Sequence, residues 1–209
     1  MVSSWAVRVR SGISAVVAIW SVISLAPAYA EVGTRPVAHD ARDGRPFAVV
    51  DKRQATLSVY AADGQLVGRT SALLGLTPGD EEPVSARGKD PDALQRHERV
   101  TPAGRFEAVP GRNLSGDRVV WFNYDTNLAI HRLRPAAARD HRPERLVSAN
   151  AEDHRITFGC VVVDSAFFDR VVLPTLGGGA SLVYILPERD SRDARIAGAP
   201  GRPGAAASP

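Results

Sequence analysis

Cysteine is almost missing from this chain: Cys160 is the only one in 209 residues. A disulfide scaffold and a thiolate metal cluster are both excluded, since each needs several cysteines. The histidines show no ligand spacing either, so neither metal nor cofactor is called for. Aromatic residues make up only 6% of the chain and no Lys/Arg block stands out, which argues against a nucleic-acid surface. No internal repeat is present, and strands do not alternate with helices as a parallel βαβ sheet requires. Long apolar runs are also lacking, with one exception near the N-terminus.

That exception reads as an export signal. Arg8 and Arg10 precede an apolar stretch from about Gly12 to Ala26, and Ala28-Tyr29-Ala30 follows. A positive start, a short apolar run and a small-x-small site are the parts of a cleaved secretory signal. The run is about 15 residues, short of the roughly 20 that a spanning helix needs. Cleavage after Ala30 is expected, with residues 31–45 as a polar arm and no stable membrane span afterwards. Localisation in the periplasm or cell envelope follows. The formal charge of +3 suits an envelope protein, because anionic wall polymers attract positive charge. A lone cysteine in an exported chain is a reactive thiol, half of an intermolecular bridge, or an inert buried thiol.

The compact region spans residues 46–187, and its class is mainly β (α+β). Short β-rich segments run over 47–51, 56–60 and 65–74, with Asp63-Gly64 turning the chain between the last two. Further strands are expected at 104–109, 118–124, 128–131, 155–163 and 181–186. Two long polar connections, 77–100 and 133–153, interrupt them; Leu94 stands alone as an apolar residue in the first. Asp164 or Ser165 caps one short helix carrying Phe167, Phe168, Val171 and Val172, with Pro174 stopping it. Residues 188–209 are Arg, Ala, Gly, Pro and Ser without periodicity, a composition of disordered tails. A monomer is expected.

A nucleophilic thiol needs a base, donors for a developing oxyanion, and access. Gly159 beside Cys160 permits a sharp turn, and the N–H of Cys160, with that of Gly159, can form the oxyanion hole. His39, His97, His141 and His154 lie in the arm or in polar connections and read as solvated surface residues. His131 differs, because it closes the apolar strand Leu128-Ala129-Ile130 and is aimed by a rigid element.

Together these residues resemble the catalytic domain of the L,D-transpeptidases (the YkuD-type domain). That family carries a strand-end histidine and, after a loop, a Ser/Thr-x-Gly-Cys motif; here they are His131 and Thr157-Phe158-Gly159-Cys160. Thr101-Pro102-Ala103-Gly104-Arg105-Phe106 is similar to the family's Thr-Pro-x-Gly-x-Phe signature. The segment from Asp51 to Val67 resembles its first hairpin. The likeness implies a β-sandwich or barrel-like domain with Cys160 and His131 catalytic, and Gly159 and Thr157 supporting the motif. It implies a thioester with a peptidoglycan stem peptide, then transfer to an amine in cell-wall remodelling. Two residues depart from the pattern: Phe158 stands where a second histidine is usual, and Val162 where Arg or Asn is. The long gap from His131 to Thr157 and the aromatic at 158 resemble a branch with Thr/Ser-Tyr-Gly-Cys. A hydrolase of the same fold, or an inactive murein-binding envelope protein, remains an open alternative.

Overall fold

Alternation of aliphatic and polar residues makes the strands, and short polar turns set their pairing. The computed structural model describes residues 44–135 and 137–188. The expected signal, nearly all of the arm and the tail beyond 188 lie outside the described residues. β1 (Phe47–Asp51) and β2 (Thr56–Tyr60) are joined by a turn in which Asp51 Oδ1 accepts from the N–H groups of Arg53 and Gln54. β3 (Leu66–Gly75) follows β2 across the turn at Asp63-Gly64, where Gly64 has φ +83°. β4 (Gly104–Arg112), β5 (Arg118–Asn123) and β6 (Leu128–Arg132) form an antiparallel meander. β7 (Arg155–Thr157), β8 (Val161–Val163) and β9 (Ser181–Leu186) complete the set.

The strand order is β2-β1-β9-β4-β5-β6-β8-β3, and a further β2–β3 pairing closes it into an eight-stranded barrel-like sheet with β7 appended to β3. Closure removes the exposed edges that an open sheet would present. One aliphatic side chain in two points inward: Val50, Leu57, Leu74, Val120, Ile130 and Val161 are all fully buried in the barrel core. At about 25 cal/mol per Å² of apolar surface, burial of this kind dominates the stability.

Helical residues 165–176 supply Phe168, Val172 and Leu176 to the same core. They form α2 (Ser165–Phe167) and α3 (Leu173–Leu176), separated by a wider turn at Phe168–Val172. Asp164 is the cap, with Oδ1 accepting from the N–H groups of Ala166 and Phe167 at 2.9 and 3.0 Å. Pro174 does not stop the helix. The wide turn before it, closed by the Leu173 N–H on Phe168 O, makes room for the proline ring.

Three expectations are revised. The 155–163 run is broken into two strands by a turn at Phe158–Cys160, giving nine strands among the described residues instead of eight. The 133–153 connection carries a helix of its own, α1 (Arg142–Leu146). The 77–100 excursion is anchored: Ala86, Leu94 and Val100 are buried, and Glu82 accepts hydrogen bonds from Asn123 and Thr126 in the β5–β6 turn. Leu94, alone in sequence, is that loop's apolar anchor.

Candidate functional site

Cys160 lies in the turn between β7 and β8, half-buried. Gly159 has φ +129°, and a Cβ there would lie 2.6 Å from Val100 O and 2.8 Å from Leu128 Cδ2. Only glycine fits, on grounds of both backbone conformation and space. Thr157 ties the turn together: its Oγ1 donates to Cys160 O at 2.7 Å and accepts from Gly159 N–H at 3.1 Å. Thr101 braces it from behind. The Thr101 hydroxyl donates to Gly159 O at 2.9 Å while accepting from Gly75 N–H at 2.8 Å. The Thr-Pro-x-Gly-x-Phe segment thus begins with a residue that holds the cysteine turn in place.

The Gly159 N–H is engaged by the Thr157 hydroxyl, and the positive φ of this residue is what the turn requires. Cys160 Sγ faces the start of β6, 3.6 Å from Asn127 O, with a further hydrogen bond from the Ala129 backbone.

β6 and β8 are parallel neighbours, with Ile130 beside Val161 and His131 beside Val162. Ile130 and Val161 point into the barrel, so His131 and Val162 stand on its outer face. The same register continued by one residue puts Ala129 beside Cys160. His131, in β6, and Cys160, the residue just before β8, are therefore diagonal neighbours, with backbones about 8 Å apart. The pair is brought to one face of the sheet by topology alone. His131 Nδ1 lies 2.8 Å from Arg132 O. A carbonyl only accepts, so Nδ1 carries the hydrogen of the neutral ring and Nε2 is left with the lone pair.

The surroundings are apolar. Leu73, Leu146 and Val162 form a buried cluster, with Leu133, Ile156 and Cys160 packed against it. Leu146 comes from α1, so the 133–153 connection lies over the outer face as a flap. Desolvation lowers the His131 imidazole to about 4, helped by the nearby charges of Arg134 and Arg142 and opposed by the Arg132 carbonyl and Asp117. Burial likewise raises the Cys160 thiol, only partly offset by the Ala129 backbone and Arg134. Both shifts favour the uncharged forms, a thiol and a neutral imidazole.

Of the other histidines, His97 and His141 are exposed as expected. His154 is not. It is 2% exposed, with Nδ1 3.2 Å from Ala72 O and Nε2 3.0 Å from Ser148 O, and pins the flap to β3. His39 lies outside the described residues. Phe158 sits beneath the Arg99 guanidinium, 4.5 Å from its centre. A cation therefore stands over the position at which a second histidine is usual. Sequence reasoning missed Arg99, since nothing distinguishes it among the 26 Lys and Arg residues. It missed Leu146 for a similar reason: one leucine in a polar loop carries no periodicity. Among the described residues no group of His, Cys, Asp or Glu can hold a metal, and no helix is long and apolar enough to cross a membrane.

No protein-family model matches the sequence, and no curated protein does. Solved structures with a similar fold include an L,D-transpeptidase from Mycobacterium smegmatis, 12% identical over 68% of this chain and 58% of that one, with a TM-score of 0.40. The catalytic domain of the E. faecium L,D-transpeptidase is 18% identical over 68% of this chain and 98% of that one, with a TM-score of 0.40. The helical cell shape determining protein Pgp2 from Campylobacter jejuni is 14% identical over 70% of this chain and 49% of that one, with a TM-score of 0.44. The chain thus spans about half the length of Pgp2 and 58% of the mycobacterial protein. Overlaps of this degree carry no function by themselves.

Proposed function

We propose that the chain is an exported cysteine acyltransferase of the L,D-transpeptidase kind, acting on peptidoglycan stem peptides. One observation carries this reading: a lone, half-buried thiol shares an outer sheet face with a strand-end histidine whose Nδ1 is fixed by a carbonyl. In the reaction, His131 Nε2 takes the Cys160 proton as Sγ attacks the carbonyl joining the third stem residue to its terminal D-residue. The C–S bond forms, the C–N bond breaks, and the imidazolium returns the proton to the departing amine. The Cys160 N–H is the oxyanion donor this reading requires, a contribution of about 3 kcal/mol. An amine or water then resolves the thioester, giving a cross-link or a trimmed stem. Residues 1–30 direct export, and the protein works as a monomer in the periplasm or envelope.

A second reading has an observation of its own. Val162 is buried between Leu73 and Leu146, so this position offers no polar group to orient a substrate. That favours an inactive, murein-binding relative. Intact-mass measurement after incubation with a carbapenem separates the two. A covalent adduct that is lost in Cys160→Ser supports the enzyme, and an unmodified protein would sink it. Tetrapeptide muropeptide as substrate then distinguishes a dimeric product from a trimmed monomer.

A further inference from the structure

The register that sets Ala129 beside Cys160 puts a residue at each of its diagonals, His131 on one side and Asn127 on the other. The thiol has taken the Asn127 side. Its Sγ donates to Asn127 O at 3.6 Å and receives the Ala129 backbone N–H; neither contact is to the imidazole. Asn127 presents that carbonyl by its backbone. Its φ is +57°, a left-handed conformation that asparagine tolerates better than most residues, and its side chain is exposed.

The turn carrying Asn127 is gripped from the 77–100 excursion. Glu82, with its side chain 17% exposed, accepts on Oε1 from the Thr126 hydroxyl at 2.9 Å and from the Asn123 amide, while Oε2 pairs with Arg87. The Gly88 N–H donates to Asp125 O at 3.0 Å. Thr126, next to Asn127, is buried. Glu82, Thr126, Leu128 and Phe158 line one small cavity, so the excursion, the β5–β6 turn and the cysteine turn meet there. Ala86, Leu94 and Val100 already anchor the excursion by burial. Glu82 adds a directed hold on the turn that faces the thiol.

We infer that the Asn127 carbonyl is a resting seat for the Cys160 thiol, and that Glu82, acting through Thr126, is the positioning residue that holds it there. This deepens the acyltransferase reading and rests on it, for the working seat is His131 Nε2. Staggered χ1 wells carry Sγ about 3 Å from one side to the other. At the resting seat the hydrogen lies on a carbonyl, which accepts a hydrogen bond but is too weak a base to take the proton. A thiolate there would face the lone pairs of the carbonyl oxygen. The seat therefore favours the thiol, and the excursion sets how readily it is left. Charged and titratable groups approach from several elements. His131 and Arg134 stand on β6 and just beyond it, and Arg134 favours the thiolate. The flap brings Arg142, which acts on His131. The excursion brings Glu82 with Arg87, and Arg99 over Phe158; β8 brings only valines.

The full chain has one cysteine, so its S–H stretching band in the infrared belongs to Cys160. In the parent the band is expected at the lower frequency of a hydrogen-bonded thiol. Glu82→Ala should raise it to the free-thiol position. The same variant should displace the pH profile of iodoacetamide alkylation downward by about half a unit, or roughly threefold in rate near pH 7, the size of one weak S–H···O contact. The alkaline plateau should stay where it is. Thr126→Val removes the link without changing charge and should match Glu82→Ala. Glu82→Gln keeps the acceptor but not the charge and should match the parent. A free-thiol band in the parent overturns the seat whether or not the variants fold. A plateau that rises with the midpoint fixed overturns it too, for that marks a loosened fold. So does a shift in Glu82→Gln as large as in Glu82→Ala, which marks charge alone. Carbapenem adduct formation by the parent is read beside these. With the adduct present and the band or midpoint unmoved, only the resting seat falls; with no adduct, the acyltransferase reading falls and the working seat with it.

Discussion

At the scale of single residues, the cysteine turn depends on Gly159 and Thr101. Gly159→Ala forces a Cβ against Val100 O in a backbone region that alanine avoids, and should cost at least about 2 kcal/mol in urea unfolding. Thr101→Val leaves both Gly75 N–H and Gly159 O without their partner, at about 1–3 kcal/mol for each buried group. Thioester formation by Thr101→Val should fall as well, since the turn is loosened. His131 adds a pH signature. Its imidazole titrates near 4 in the fold and near 6.5 when unfolded. Between those values the unfolded chain binds more protons, so stability rises with pH through that window, by at most about 1.4 kcal/mol per pH unit. Glu98, held down to about 2 mainly by its hydrogen bond from Lys89, contributes only below about 4.5. Urea midpoints from pH 6.5 to 4.5 should therefore lose most of their slope in His131→Gln, and an unchanged slope would refute the assignment. These two histidine and cysteine positions were legible in sequence because a lone thiol and a strand-end imidazole are rare. His154 was not, because a buried histidine held by two carbonyls looks like any polar-loop residue until the chain is folded.

At the scale of elements, the site is a sheet face under a flap. α1 contributes Leu146 to the cluster with Leu73 and Val162. Leu146→Ala should destabilise by about 2–5 kcal/mol and, by wetting the thiol, speed its alkylation by iodoacetamide near neutral pH. Slower or equal alkylation would mean that the flap does not govern access. Val162→Asn, which restores the polar residue of the resembled pattern, should destabilise by about 1–3 kcal/mol, since its amide enters an apolar pocket without a built partner. The strands were readable from alternation, whereas α1 was not. Five residues, Arg-Pro-Glu-Arg-Leu, are too short for helical periodicity to register, and tertiary contact makes the helix. The split at Phe158–Cys160 was hidden for the opposite reason: β-rich residues continue through the turn, and only the left-handed Gly159 breaks the strand.

At the scale of the whole molecule, a buried ionic group ties the β1–β2 turn to the segments around Asp80, Thr101 and Glu188. Lys52, 1% exposed, donates from Nζ to Gly79 O, Asp80 Oδ1 and Thr101 O at 2.5, 2.7 and 2.9 Å. Glu188 lies 3.6 Å from the same Nζ and accepts from Arg155 at 2.9 Å. Lys52→Met should cost about 3–5 kcal/mol, because buried oxygens lose the cation they face; a variant as stable as the parent in urea would contradict this. Nothing in the sequence marked Lys52, for a lysine after an aspartate in a turn reads as solvated. Closure explains why the flap exists. β6 and β8 are parallel neighbours, and parallel strands cannot be joined by a tight turn; the chain must travel back along the barrel before it can start the next strand. Residues 133–154 are that return journey. The cover over the thiol is therefore obligatory for the sheet and not an ornament added to it. Its composition is free to drift and its reach has a lower limit, so selection on substrate choice can act there through side chains but not by removing the loop.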